Sequence, residues 1–176
     1  MKILKNILTA LLLLLIILAL VGFILPQKQQ VERSLEISAS ADKIYPYLAN
    51  PKLFQKWSPW SKMDPNLKVQ FTGPESGKGA GMTWQSKESN VGSGSWVISE
   101  AIENQSLNVN MDFGDQGAAT SFFTLQPSAG KTNVTWGFET DAGMNPIMRW
   151  FGLLMDKMVG GEYAKGLQTL KDLLEK

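Results

Sequence analysis

Three regimes of hydrophobic patterning follow one another along the chain. Ile7 to Leu25 is an apolar run interrupted only by Thr9, with Lys2 and Lys5 before it and Pro26 after it. From Val31 the apolar positions alternate with polar ones, and after Asn145 they recur at intervals of three and four. These patterns predict a long apolar helix, a set of one-faced strands and an amphipathic helical tail. At about 1.5 Å of rise per residue, the ~19 residues of the first run span about 28 Å, close to a bilayer's hydrocarbon thickness. A helix there pairs every backbone group internally, so the run reads as a transmembrane segment.

A cleavable signal peptide has a shorter apolar region and small residues two apart at the cut. Here the nearest small residues, Ala19 and Gly22, stand three apart, and Phe23, Ile24 and Leu25 continue the run. We read residues 1–27 as an uncleaved anchor and residues 28–176 as one domain. Lys2 and Lys5 on one side nearly balance Lys28 and Arg33 on the other. The expected orientation is amino terminus in the cytoplasm and domain outside.

Period-two alternation recurs seven times. Leu35 and Ile37 alternate with Ser34, Glu36 and Ser38; Leu67, Val69 and Phe71 with Lys68 and Gln70; Met82 and Trp84 with Thr83 and Gln85. Trp96 and Ile98 mark a fourth strand, Leu107, Val109, Met111 and Phe113 a fifth, Thr120 to Gln126 a mixed sixth, and Val134, Trp136 and Phe138 a seventh. Short connections rich in Gly, Asn, Pro and Ser suit hairpins, so the strands predict an antiparallel sheet with one wet face.

Two Asn-Pro pairs signal helix starts: Asn50 before Pro51 and Asn145 before Pro146. Asn caps the first amides, and Pro at the first position lacks an amide that would be unpaired anyway. A helix over Ala41 to Ala49 is expected to be kinked or very short, because Pro46 removes a backbone bond. In the last ~30 residues Ile147, Phe151, Leu154 and Met158 form one stripe, and Tyr163, Leu167, Leu170 and Leu174 another. The step of five between the stripes advances about 500°, or about 140° past a full turn. A break, bulge or kink at Gly160-Gly161 is expected to correct it. This long helix is the only cover available for the sheet.

Composition removes much chemistry. With neither Cys nor His, the chain has no disulfides, thiol nucleophiles or Ser-His triads, and nearly every zinc site is excluded. No metal or cofactor is implied. Charges nearly balance, 17 Lys+Arg against 16 Asp+Glu, so nucleic acid is not an expected partner. Gly73 to Lys78 imitates a phosphate loop but is one residue short between its glycines and is followed by Gly79, which fits a hairpin turn better.

Three local motifs stand out within this order: Trp57-Ser58-Pro59-Trp60, Gly77 through Trp84, and Gly166 through Lys171. With them the chain resembles the START-like superfamily, also called SRPBCC, and within it the polyketide cyclase/dehydrase-like lipid-transport group, over about Val31 to Glu175. The resemblance implies an α+β helix-grip fold, with a curved antiparallel sheet of about seven strands wrapped on a long C-terminal helix. It also implies an apolar cavity between sheet and helix.

The expected cavity lining is Trp57, Trp60, Trp84, Trp96, Met111, Phe113, Trp136, Phe138, Met148, Phe151, Met155 and Met158, since large aromatics mixed with adaptable Met suit an apolar ligand. Each of them also suits an ordinary core. Trp57 and Trp60 either close one cavity end or cap the sheet edge. Three functions remain open. The domain binds a lipid or other hydrophobic small molecule without catalysis, or it regulates a membrane partner through its surface. In the third, it is a cyclase or dehydratase with Glu139 or Asp141 as acid or base at a cavity mouth.

Overall fold

The structure, a computed structural model, describes residues 2–176. Helix α1 (Lys2–Ile24) is long and apolar enough to cross a membrane, and nearly all of it projects away from the rest of the protein. Strands β1 (Lys28–Ile37), β2 (Lys68–Thr72), β3 (Gly81–Gln85), β4 (Ser93–Ile102), β5 (Ser106–Asp112), β6 (Ala118–Ser128) and β7 (Lys131–Asp141) form one antiparallel sheet in the order β1-β7-β6-β5-β4-β3-β2. Successive hairpins build it from β2 to β7, and β1 closes it by pairing Lys28 with Asp141 and Ile37 with Thr132. Between Ile98 and Glu100 the register of β4 slips by one residue, a bulge that bends the strand and helps the sheet curve.

Helices α2 (Ala41–Ala49) and α3 (Pro51–Phe54) follow β1, and a short 3-10 turn over Pro59–Lys62 carries Trp60. The Asn50 side chain accepts from the amides of Lys52 and Leu53, at 2.9 and 3.4 Å, as the Asn-Pro signal predicts. Pro46, by contrast, does not shorten α2. It lies on the exposed side, where the carbonyl it leaves unpaired faces water, and Ile44 and Leu48 still reach the core fully buried.

The tail departs further from expectation. It is not one helix of ~30 residues but α4 (Pro146–Gly152), a turn at Leu153–Leu154, a π-helical turn over Asp156–Gly160, and α5 (Gly161–Leu174). The wide turn absorbs the five-residue step between the two stripes, because π geometry bonds residues five apart. The two stripes then meet different fates. Tyr163, Leu167 and Leu170 are buried on the sheet, whereas Ile147, Phe151, Leu154 and Met158 are all at least half exposed on the outer surface.

The inner face of the sheet and the buried faces of α2, α3 and α5 meet in one core, with Trp57 and Phe123 its largest fully buried side chains. Gly166 permits α5 to settle on it. A Cβ there would stand 2.7 Å from the Trp136 ring and 3.2 Å from Pro59. Because Trp136 is wedged among other rings and cannot yield, Gly166→Ala is expected to lower unfolding stability by about 1–3 kcal/mol, read from urea denaturation followed by tryptophan fluorescence.

Candidate functional site

The space under α5, where the sequence predicts a hollow, holds a close aromatic cluster. Trp136 stacks on Tyr163 at 4.1 Å between centroids and on Phe123 at 5.4 Å, and Trp57 meets Trp136 edge-on at 5.0 Å. Phe54 stacks on Trp96 at 5.2 Å and Trp60 closes on both Trp136 and Tyr163. Trp57, Trp96 and Trp136 are almost wholly buried. Such offset-stacked and edge-to-face contacts stabilise a core beyond their area alone.

Two of the buried indoles are paired internally. Trp57 donates its indole N–H to the Tyr47 carbonyl at 2.9 Å. The buried Ser121 hydroxyl accepts the Trp136 indole at 3.0 Å and donates to the Gly137 carbonyl at 2.9 Å. Burial, only partly offset by the nearby Ser121 hydroxyl, pushes the Tyr163 phenol well above its ordinary pKa.

The sheet's two ends differ. One end carries Gln85, Ser93, Asp112, Ala118, Asp141 and Lys28, and it is the end from which α1 leaves. There the inner face is only half covered: Trp84, Met111 and Phe113, with Met155 and Val159 from the tail, pack on the core but keep part of their surface open. Trp84 and Phe113 meet edge to face at 5.9 Å, and the Trp84 indole donates to the Val91 carbonyl at 3.1 Å. The result is a partly uncovered apolar patch, termed the opening below, that borders the buried aromatic plug.

The expected lining residues therefore divide three ways. Trp57, Trp60, Trp96, Trp136 and Phe138 belong to the plug and its surroundings, and Trp84, Met111, Phe113 and Met155 to the opening. Met148, Phe151 and Met158 stand on the exterior, 42%, 52% and 60% exposed, so the structure does not bring them to the others. Glu139 and Asp141 are not at the opening either. Strand alternation puts them on the outer face, where Glu139 pairs with Lys28 at 3.6 Å and Asp141 accepts the Gly143 amide at 2.7 Å. An open groove of about 750 Å³ on that outer face is lined by Lys28, Ser95, Val97, Asn110, Thr120 and Glu139 among others, a mixed polar and apolar surface.

Sequence reasoning missed Arg149. It is the only charge between Asp141 and Asp156, and it is 4% exposed. Its Nη1 donates to the carbonyls of Phe23 and Leu25, at 2.6 and 3.2 Å, and its Nε and Nη2 to the Gly143 carbonyl at 2.9 and 2.6 Å. The guanidinium thus satisfies terminal carbonyls of α1, where a cation also meets the favourable end of the helix dipole. Trp150 donates its indole to the Leu18 carbonyl at 3.0 Å, and Gly22 lies so close to Pro146 that a Cβ would stand 2.6 Å from it. The signal was available in the sequence: a single arginine in an uncharged, apolar stretch must find acceptors.

A curved seven-stranded antiparallel sheet gripping a C-terminal helix defines the helix-grip class of START-like proteins. The chain belongs to the family described as polyketide cyclase/dehydrase and lipid transport, which matches residues 28–175. Solved structures share the fold at low identity. Protein Ms6760 from Mycobacterium smegmatis is 18% identical with a TM-score of 0.60, over 84% of this chain and 91% of that one. Norcoclaurine synthase from Thalictrum flavum is 14% identical with a TM-score of 0.63, over 83% and 92%. The Aha1 dimer from Colwellia psychrerythraea is 19% identical with a TM-score of 0.56, over 83% and 96%. No curated protein matches the sequence.

The Tyr163 shift gives a pH dependence with a definite sign. Unfolded, the phenol ionises near its ordinary value of 10.0, whereas folded it keeps its proton to higher pH. Its contribution is complete below that value, and stability falls as pH rises beyond it because only the unfolded chain releases the proton. Urea midpoints measured at increasing alkalinity should fall more steeply for the natural protein than for Tyr163→Phe.

Proposed function

We propose that the domain binds a lipid or other hydrophobic small molecule at the apolar opening, without catalysis, and receives it from the bilayer that α1 spans. The observation that carries this reading is the half-covered inner face at the end of the sheet where α1 leaves. Trp84, Met111 and Phe113 offer apolar area there, and burying such area against a ligand is worth roughly 25 cal/mol per Å². Family membership supports it, since this fold accommodates hydrophobic ligands. The aromatic plug restricts the ligand to the half of the grip nearest α1, so a chain or ring system would enter end-on and displace the adaptable Met111 and Met155 side chains rather than occupy the whole interior.

Retention of α1 is supported by Arg149. Two of its hydrogen bonds go to the Phe23 and Leu25 carbonyls, contacts that removal of the helix as a signal segment would abolish. Only Leu25 to Gln27 separate α1 from β1, so the opening is held close to the membrane surface. An alternative is a regulatory domain that binds a membrane protein. The filled interior and the exposed apolar residues of α4 favour it.

Full-length protein extracted in mild detergent is expected to carry lipid in native mass spectra and to change tryptophan fluorescence when amphiphiles are added. Trp84→Ala and Phe113→Ala should each weaken that binding by about tenfold, the equivalent of about 1.4 kcal/mol. Bare protein with fluorescence indifferent to every amphiphile would favour the protein-partner reading instead. Separately, Arg149→Ala should expose the segment Leu25 to Gln27 to limited proteolysis, because it releases the end of α1 from α4.

A further inference from the structure

The outward stripe of α4 is anomalous for a water-facing surface. Met144, Ile147, Phe151, Leu153 and Leu154 are each at least half exposed, and between Asp141 and Asp156 no charge faces outward, since the one charge in the interval, Arg149, is buried on α1. Exposed apolar patches of this kind mark an interaction surface. Their position identifies the partner. Trp150 hydrogen-bonds the carbonyl of Leu18, six residues before the end of α1, and at about 1.5 Å per residue that contact lies about 9 Å below the helix end. Pro146 packs on Gly22 in the same region. α4 therefore lies alongside the last turns of α1, and its apolar face continues the exposed apolar surface of that helix.

We propose that α4 and the turn after it are immersed in the bilayer interface, beside the exit of α1, with Ile147, Phe151 and Leu154 among the acyl chains. This rests on the reading of α1 as a membrane span. An interfacial helix buries its apolar face roughly 5–10 Å into the headgroup–acyl boundary, which agrees with the depth of the Trp150 contact. Trp150 has the amphipathic ring enriched at that level. Arg149 turns inward to α1 carbonyls and is withheld from the hydrocarbon. The domain is then seated on the membrane at two places and cannot swing as a flexibly tethered body would. The apolar opening, at the same end of the sheet, is fixed towards the lipid.

The lack of cysteine makes single labels clean. Full-length variants Ile147→Cys, Phe151→Cys and Leu154→Cys, each carrying an environment-sensitive fluorophore, are reconstituted at low density into phosphatidylcholine–phosphatidylglycerol vesicles. Leu12→Cys in α1 and Glu75→Cys in the β2–β3 connection, at the opposite end of the sheet, serve as references. Quenching by doxyl-labelled phosphatidylcholine is compared with quenching by aqueous iodide. The expected result is that labels at 147, 151 and 154 lose iodide quenching and are quenched by the doxyl lipid, as the label at 12 is, while the label at 75 behaves oppositely. If the label at 12 is lipid-quenched but those on α4 respond like the one at 75, the immersion is wrong and the membrane span stands. Labels on α4 shielded from both quenchers would assign the face to a second copy of the chain and overturn the proposal. An iodide-quenched label at 12 would overturn the span itself.

Discussion

A guanidinium withdrawn from water must be given acceptors, and in this protein those acceptors come from two separate elements. Arg149 holds the terminal carbonyls of α1 and the loop carbonyl of Gly143 together. The arginine thereby fixes the rotation of α4. With that side of the helix turned to α1, and Gly152 pressed against Gln29 of β1, the stripe of Ile147 and Phe151 has nowhere to point but outward. The outward turn of the apolar face and the packing of the end of α1 on α4 both follow from this one contact.

The core supplies a second constraint. Rings from α3, β4, β6, β7 and α5 form one cluster with Trp136, in which the Trp57 indole is paired with the Tyr47 carbonyl and the Trp136 indole with the Ser121 hydroxyl. A cluster so well packed stabilises the grip, and it divides the inner face of the sheet into a sealed half and a half-open one. The two constraints act together, since the π-helical turn over Asp156–Gly160 connects α4 to α5. Arg33 of β1 pins that turn through Asp156 at 2.8 Å.

Alternation of side chains carries most of the fold. Seven strands, their antiparallel order and the inward direction of Trp96, Val109, Trp136 and Phe138 are legible because a strand has only two faces, and a single buried face fixes the register. The Asn-Pro caps are legible for a similarly local reason. Pro46 misleads because its cost depends on whether the stranded carbonyl reaches water, which no local pattern records. The candidate site is legible only in part. Aromatic and methionine bulk marks residues that turn inward, but not whether they fill the space or surround one, since both arrangements draw on the same residue types.

The sequence by itself determined the apolar segment, the sheet, the capped helices and the need for a break near Gly160, because each depends on neighbours within a few positions. The tertiary structure decided that the centre of the grip is closed by stacked rings, that the stripe before the break faces away from the sheet, and that Arg149 joins α4 to a helix more than a hundred residues earlier in the chain. These outcomes turn on which surfaces meet in three dimensions and on how completely they exclude water, and hydrophobic periodicity fixes a side chain's face without naming the surface it will meet.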